Sequence, residues 1–324
     1  MKTFYASLLA LGICLGLTFP AMAEYPAKPI MLMTAFNAGG GSDVSHRLLE
    51  KFAKGVFDQP IVVTYKAGAG GEIGWTWLVG AKADGYTIGG VDLPHIVLQP
   101  MLRPEGQPGY KTEQLSPLCG LVYDANVVMV PEDGPYKTFK DLIEYAKANP
   151  GVVKMADSGV GAAPNVAAKA FEKYFDISFD FYTYDGAPEC VTAVETNEVD
   201  ATFLQPTPAT ASVKAGTLSM IGVLSDERLA SFPDTPTIME TFGEEYNLVM
   251  KGFVALSAPA GTPDDVVAAL RDLMGKAVES DEYKTQIESL GMQYITLYGD
   301  ELNTFINEQM AFYKDICADI DING

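Results

Sequence analysis

The residues best suited to chemistry are a run of glycines followed by a serine and an aspartate. Residues 34–43 read Thr-Ala-Phe-Asn-Ala-Gly-Gly-Gly-Ser-Asp. The apolar run at 30–33 predicts a buried strand before them, and helical spacing of apolar residues predicts a helix over 44–57, which Ser42 and Asp43 could cap. Such a turn can bind an anion, because no Cβ blocks its backbone N–H groups and the helix dipole favours negative charge. A plain strand-to-helix turn is the alternative.

Three further loops of small residues occupy equivalent places. Residues 66–74, 157–165 and 184–188 each follow a run that predicts a strand. In parallel sheets, ligands bind beyond the carboxyl ends of the strands, so we expect these loops to meet at one cleft. Converging backbone donors would suit a small carboxylate held without large cationic side chains.

Asp92, His95 and Gln205 also come after the ends of predicted strands. The candidate ligand-binding residues are therefore Phe36, Asn37, Ala38, Gly39, Gly40, Gly41, Ser42, Asp43, Gly70, Gly71, Asp92, His95, Ser158, Val160, Gly161, Ala162, Asn165, Tyr184, Asp185, Gly186, Ala187 and Gln205.

Signatures of cofactor binding, metal binding and catalysis are incomplete. The dinucleotide pattern GxGxxG is approached twice, but Ile73 and Pro164 stand where the third glycine is required. The only two histidines, His46 and His95, lie at no metal-binding spacing, and Ser158 is not within GxSxG. The sequence therefore predicts no cofactor, no metal and no enzymatic activity.

The charge of the chain limits its partners. Lys and Arg number 22 against 42 Asp and Glu, a formal net charge of -20. Such an acidic protein is a poor partner for nucleic acid or an anionic membrane. A bound anion would need nearby hydrogen-bond donors whose attraction outweighs the repulsion from the overall negative charge.

The first 23 residues have the pattern of a cleavable export signal. Lys2 gives a positive start, residues 8–19 are apolar, and Ala21-Met22-Ala23 fits a small-x-small cleavage site. We therefore predict a soluble periplasmic protein. An oxidising compartment permits disulfides, and Cys119–Cys190 is the first pairing to test, although the cysteines could also all be unpaired.

The chain after the leader is longer than one hydrophobic core usually supports. Strand, loop and helix alternate, a connector at 94–117 is rich in Pro and Gly, and the same alternation then begins again. We predict an α/β fold with two parallel-sheet-based lobes, a ligand cleft between them and two crossover segments. The divisions are a leader (1–23), lobe 1 (24–124), lobe 2 (125–222), and a return to lobe 1 with C-terminal helices (223–324).

Several segments together carry a family resemblance. They are Tyr25-Pro26-Ala27-Lys28-Pro29-Ile30, residues 36–43, residues 68–74, Asp84-Gly85-Tyr86-Thr87, Phe139-Lys140-Asp141-Leu142, Ser158-Gly159-Val160-Gly161 and residues 258–263. In these segments and their order, the chain resembles the solute receptors of bacterial tripartite tricarboxylate transporters, a Bug-like family of extracytoplasmic binding proteins.

The resemblance implies a type II periplasmic-binding-protein fold whose two lobes close on a ligand. It implies a monomer that works with a large and a small membrane subunit, with import driven by an ion gradient. It also implies that the loops at 36–43 and 158–165 grip a ligand carboxylate, and that 68–71 and 184–188 help to line the cleft.

Two positions depart from the family pattern. Asn165 stands where the family often has His, and Asp185-Gly186 stands where it often has Lys-Gly. Loss of a cation and gain of an acid favour a mono- or dicarboxylate over a tricarboxylate such as citrate, or could admit an amine or a hydroxyl. Two other functions stay open, namely a sensor that presents bound ligand to a membrane kinase and an exported enzyme that uses Ser158 or His95.

Overall fold

The structure is a computed structural model that describes residues 25–102, 107, 109–159, 162–246, 248 and 250–317. The predicted leader, Val160 and Gly161 lie outside the described residues. None of the helices within the described ranges is both long enough and apolar enough to cross a membrane.

The first part of the chain alternates strands and helices, as the sequence predicts. The elements are β1 (Ile30–Thr34), α1 (Gly41–Ala53), β2 (Ile61–Tyr65), α2 (Glu72–Val79), β3 (Thr87–Leu93), α3 (His95–Leu102) and β4 (Leu115–Ala125). One-turn 3-10 helices lie at Ala69–Gly71 and Thr112–Gln114.

The alternation then repeats in a second set of elements. These are β5 (Val127–Pro131), α4 (Phe139–Ala148), β6 (Lys154–Asp157), α5 (Ala163–Phe175), β7 (Asp180–Thr183), α6 (Ala187–Glu195), β8 (Ala201–Leu204), α7 (Thr210–Ala215) and β9 (Leu218–Val223). A 3-10 turn at Thr207–Ala209 precedes α7.

The remaining elements complete the first sheet and surround it. They are α8 (Ile238–Phe242), β10 (Lys251–Pro259), α9 (Asp264–Val278), α10 (Asp281–Ser289), β11 (Gln293–Tyr294) and α11 (Gly299–Cys317).

The strands form two sheets, one in each lobe. The first has the order β11-β4-β10-β3-β1-β2, and the second has the order β7-β6-β8-β5-β9. Pairing is parallel among β1, β2 and β3 and among β6, β7 and β8, as predicted. However, β10 pairs antiparallel with β3 and β4, and β5 pairs antiparallel with β8 and β9. Both sheets are therefore mixed. Strands β5 and β10 each follow a crossover between the lobes, whereas parallel neighbours are joined by the helix of a βαβ unit.

The chain crosses between the sheets at a small hydrogen-bonded node. Asn126 is the one residue between β4 and β5, and its N–H donates to Met250 O at 3.0 Å. Met250 N–H donates to Leu224 O at 3.0 Å, and Leu224 N–H donates to Asn126 O at 2.8 Å. The outgoing and returning segments are thus tied together. The lobe boundaries given by the sequence remain predictions.

The segment at 94–117 differs from the irregular connector that its composition predicts. It contains α3, in which Ile96, Val97 and Leu98 are buried. Pro94 O accepts hydrogen bonds from the N–H groups of Val97 and Leu98. Burial of this apolar stretch stabilises a helix despite the proline within it, because tertiary packing outweighs intrinsic propensity.

The proposed Cys119–Cys190 disulfide is wrong. Cys119 lies on β4 of the first sheet, Cys190 lies on α6 of the second lobe, and both are buried free thiols. Each is enclosed by the apolar side chains of its own lobe. Burial raises the pKa of Cys119 to about 12, so its thiol is a small core side chain and not a reactive group.

Helix α1 packs closely against β3 at Gly90. A Cβ at Gly90 would overlap the ring of His46, which is fully buried and hydrogen-bonded through Nδ1 to Thr34 Oγ1 at 2.8 Å. We predict that Gly90→Ala lowers the free energy of unfolding by about 1–3 kcal/mol through overpacking. Chemical denaturation measures this change. Gly55→Ala is the control, since a Cβ at Gly55 meets no atom within 4 Å; equal effects of the two substitutions would contradict the packing.

Candidate functional site

A cavity lies between the lobes, at the carboxyl ends of β1 and β3. The space open to the centre of a water molecule is about 60 Å³, enough for several waters or a small organic molecule. Both lobes contribute to its wall. The lining residues are Phe36, Asn37, Gly40, Gly41, Ser42, Asp92, Leu93, His95, Val122, Asp124, Ser158, Ala187, Pro188, Gln205, Gly252, Phe253 and Val254.

The loop from β1 to α1 is held in shape by Asp43. Its carboxylate accepts hydrogen bonds from Gly39 N–H at 2.8 Å and from the Tyr65 hydroxyl at 2.6 Å. Gly39 has φ +91°, a conformation that favours glycine. Neither Asp43 nor Ser42 caps α1, because the N-cap is Gly40 and the helix begins at Gly41.

This arrangement leaves backbone donors at the cavity wall. The N–H groups of the first helical turn have no acceptor within the helix, and Gly40, Gly41 and Ser42 line the cavity. The positive end of the helix dipole adds to the attraction for negative charge. This end of the cavity can therefore hold an anionic group.

Asp92, on β3, is a buried carboxyl at the same place. The Ser42 hydroxyl donates a hydrogen bond to Asp92 Oδ1, whereas Asp92 Oδ2 is buried and has no partner among the described residues. Burial raises the pKa of Asp92 to about 7, although the hydrogen bond from Ser42 opposes the shift. Near neutral pH this carboxyl can therefore carry either charge state.

Asp124, on β4, is a second buried acid of the cavity. Its Oδ1 accepts from Gln293 N–H at 3.3 Å, and Thr207 Oγ1 lies 3.5 Å from Oδ2. Burial raises the pKa of Asp124 well above its ordinary value, more than these hydrogen bonds lower it. The sequence analysis missed Asp124; the available signal was a charged residue inside the apolar run 121–130.

His95, at the start of α3, links the two lobes. Its Nε2 accepts a hydrogen bond from Ala163 N–H, at the start of α5, at 3.2 Å. Burial lowers the pKa of His95 to about 4, so the ring is neutral and its proton is on Nδ1. Nδ1 is buried without a partner among the described residues. The Phe36 ring packs edge-on against His95, with centroids 5.2 Å apart.

A second inter-lobe contact joins the β1–α1 loop to α6. Asn37 Nδ2 donates to Glu189 Oε1 at 3.1 Å. Farther into the cleft, Gln205 of the second lobe reaches β10 of the first. A Cβ at Gly252 would overlap Gln205 Nε2, so the glycine makes room for this amide. The lobes are therefore in contact around the cavity.

The cavity wall contains ten of the predicted site residues. These are Phe36, Asn37, Gly40, Gly41, Ser42, Asp92, His95, Ser158, Ala187 and Gln205. Pro188, in the segment 184–188 that was expected to line the cleft, also lies in the wall. The strand residues of the wall were not predicted, namely Leu93, Val122, Asp124, Gly252, Phe253 and Val254. The assignment of ligand contacts remains a prediction, as it does for Val160 and Gly161, which lie outside the described residues.

The other predicted residues do not line this cavity, namely Ala38, Gly39, Asp43, Gly70, Gly71, Ala162, Asn165, Tyr184, Asp185 and Gly186. Several have structural partners instead. Asn165 donates to Asp157 Oδ2 at 3.0 Å, and the Tyr184 hydroxyl donates to Glu198 at 3.0 Å.

Other residues of this set are exposed to solvent, form a turn or cap a helix. Asp185 is exposed, and Gly186 is the N-cap of α6. Gly70 and Gly71 form a 3-10 turn, in which the carbonyl of Gly70 accepts from Gln99 at 3.3 Å. Ala162 is the buried N-cap of α5. The departure at Asp185 therefore places no acid on the cavity wall.

Comparison with known proteins agrees with this architecture. The family described as "Tripartite tricarboxylate transporter family receptor" matches residues 46–322. The UPF0065 protein in the gbd 5' region of Cupriavidus necator is 28% identical over 316 residues, 96% of this chain and 94% of that protein.

Solved structures are similar over nearly the whole chain. A structure described as that of a periplasmic transporter is 26% identical, with a TM-score of 0.87 over 92% of this chain and 100% of that one. An R. palustris protein with adipate gives a TM-score of 0.86 at 20% identity, covering 91% and 98% of the two chains. MatC from Rhodopseudomonas palustris with bound malate gives 0.84 at 21% identity, covering 90% and 99%. The last two show the fold alone.

The buried Asp92 predicts a pH-dependent difference in stability. Its pKa is about 7 when folded and about 4 when unfolded, so the folded state holds a proton that the unfolded state releases. This contribution to stability is complete below pH 4 and is lost as the pH rises through 7. We expect the stability of Asp92→Asn relative to wild type to rise by up to roughly 4 kcal/mol between pH 4 and pH 8.

Urea unfolding at pH 4, 6 and 8 measures this difference. Asp133→Asn, at an exposed turn residue, is the control for loss of one carboxylate. A stability difference for Asp92→Asn that stays constant over this range would show that the carboxyl is solvated.

Proposed function

Because the chain belongs to the tripartite tricarboxylate transporter receptor family, we propose that it is a periplasmic receptor for a small mono- or dicarboxylate. It is exported by the leader at residues 1–23. As a monomer, it delivers the bound carboxylate to the large and small membrane subunits of a transporter. The family and the similar structures are those of solute-binding receptors.

The observation that carries the proposal is the position of the cavity at the first turn of α1, between two lobes that touch around it. Gly40, Gly41 and Ser42 are at the wall, and the N–H groups at this helix start have no acceptor within the helix. Asn37 and Ser158 add neutral polar side chains from opposite lobes. These groups suit one carboxylate, which would be bound by dipoles and not by a cation.

His95 supports binding more than catalysis. The lone pair on Nε2 is engaged by Ala163 N–H, and the low pKa keeps the ring neutral. A general base needs a free lone pair within reach of the proton that it removes. His95 therefore offers the ligand an Nδ1–H donor. Ser158 is present in the cavity without a histidine base hydrogen-bonded to it among the described contacts.

The charge of the cavity favours a ligand with few negative charges. Among the described residues, its lining contains two aspartates and no lysine or arginine. A tricarboxylate would bring three carboxylates close to these acids, and like charges in a low-dielectric site repel strongly. Two proteins of this fold have been solved with the dicarboxylates adipate and malate.

A ligand screen tests the proposal. We expect thermal shift and isothermal titration calorimetry to show binding by butanoate or by dicarboxylates such as succinate and malate, with weaker binding by citrate. Native mass spectrometry of freshly purified protein should show a co-purified small acid. Citrate giving the largest stabilisation would contradict the proposed ligand class.

Gly40→Val tests the position of the carboxylate site. Gly40 has φ -77° and ψ 170°, which valine adopts without strain, so the substitution adds volume at the cavity wall. We expect at least tenfold weaker binding of the best ligand, measured by calorimetry, with the fold retained. Gly55→Val, at an exposed glycine with open space around it, is the control. Unchanged affinity in Gly40→Val would place the carboxylate elsewhere.

A further inference from the structure

The charges of the cavity do not match a ligand that carries only negative groups. Within the described part of the chain, the lining includes Asp92 and Asp124, which are 6% and 4% exposed, and no lysine or arginine. The helix N-terminus accounts for one carboxylate of the ligand, but it gives no reason for two buried acids in the same wall. A positively charged group on the ligand would allow these acids to ionise, because a buried carboxylate without a counter-charge is costly.

The strand register places both acids on one face of the first sheet. β10 lies between β3 and β4, with Val254 opposite Asp92 and Gly252 opposite Asp124. Directly paired residues point to the same face, as do residues two apart on one strand. The two carboxyls therefore flank the surface at Gly252 and Val254, which also lines the cavity.

The two acids differ in how well they are satisfied. Both oxygens of Asp124 lie near protein donors, at 3.3 Å and 3.5 Å. Asp92 has one oxygen bonded to Ser42, and its buried Oδ2 has no partner within the described part of the chain. Because Ser42 is in the first turn of α1, this open acceptor lies beside the place proposed for the ligand carboxylate.

We propose that the ligand is an amino-carboxylate whose protonated amine donates to Asp92 Oδ2 while its carboxylate lies at the N-terminus of α1. When ionised, Asp124 would add a second negative charge that favours the ammonium group. This inference rests on the proposed carboxylate receptor and specifies its ligand class. An ammonium group supplies both the missing donor and the missing positive charge. A hydroxyl would supply only the donor.

A matched set of four-carbon probes tests the inference by calorimetry at pH 7.5. The probes are butanoate, succinate, 2-aminobutanoate, 4-aminobutanoate and butylamine. We expect at least one aminobutanoate to bind at least tenfold more tightly than both butanoate and succinate. In Asp92→Asn the ratio of aminobutanoate affinity to butanoate affinity should fall at least tenfold, because a neutral amide cannot balance the charge of an ammonium group. Asp133→Asn, which removes an exposed carboxylate outside the cavity, should behave as wild type.

The pH dependence of binding to the wild-type protein provides a test that needs no variant. The ionisable side chains on elements around Asp92 include Asp43 and His46 on α1, His95 on α3, Asp124 on β4 and Glu189 on α6. Lys251, on β10, forms an ion pair with Asp226 at 2.9 Å. Burial lowers the pKa of both histidines to about 4, so they stay neutral above pH 6.

Ionisation of Asp92 should then dominate the pH dependence of binding, and loss of a proton from Asp124 would also strengthen the binding of an amine. The ratio of aminobutanoate affinity to butanoate affinity should rise by up to about tenfold from pH 6 to pH 8, because the ionised fraction of a group of pKa 7 rises about tenfold.

The possible results separate the two proposals. Equal or tighter binding of butanoate or succinate than of both aminobutanoates would overturn the amine site and leave the carboxylate receptor standing. The amine site would also be overturned if Asp92→Asn kept the preference for aminobutanoate, or if the ratio of aminobutanoate affinity to butanoate affinity fell as the pH rises. Binding of butylamine alone would overturn the carboxylate receptor and keep the acidic site. Binding by none of the probes at millimolar concentration would overturn both.

Discussion

Burial of a carboxyl group at the end of β3 is the constraint on which the arrangement of the cavity depends. The Ser42 hydroxyl hydrogen-bonds one oxygen of Asp92, and the start of α1 at Gly41 places Ser42 in the first helical turn. The loop before the helix is in turn fixed by the bonds from Gly39 and Tyr65 to Asp43. Asp43 therefore shapes the loop, and Asp92, with Asp124, gives the cavity its acidic wall.

The sequence predicts the fold well because its signals are local. Apolar runs and small-residue turns locate most strands and helices. At the start of α4, the Asp141 N–H donates to the Thr138 hydroxyl at 3.1 Å, a cap formed by residues three apart in the chain. The mixed pairing of β10 could not be predicted, because it depends on where the returning chain meets the first sheet. Helix α3 was missed because buried contacts stabilise it against its own composition.

In the candidate site, too, residues with a local sequence signal were predictable, whereas residues placed by long-range strand pairing were not. Loop residues such as Asn37 and Ser158 were found because glycine-rich turns at strand ends are visible in the sequence. Asp124 and Gly252 were not, since they face the cavity only through the register of β4 and β10, which are far apart in the chain. Asp185 was predicted to alter the charge of the cleft but is exposed, and Asp92 and Asp124 provide that charge instead.

The node at Asn126 has a mechanical consequence. Asn126 is the one residue between β4 and β5, and its backbone is hydrogen-bonded to both Met250 and Leu224. A rotation of one lobe against the other would therefore change only a few backbone dihedral angles at this point. Asp124 lies two residues from this hinge, whereas the contact from Asn37 to Glu189 joins the β1–α1 loop to α6, outside the hinge. The acidic side of the cavity is therefore next to the hinge. A pair of fluorophores on exposed residues of the two lobes, away from the cavity, would report ligand capture as an optical signal without disturbing the groups that recognise the ligand.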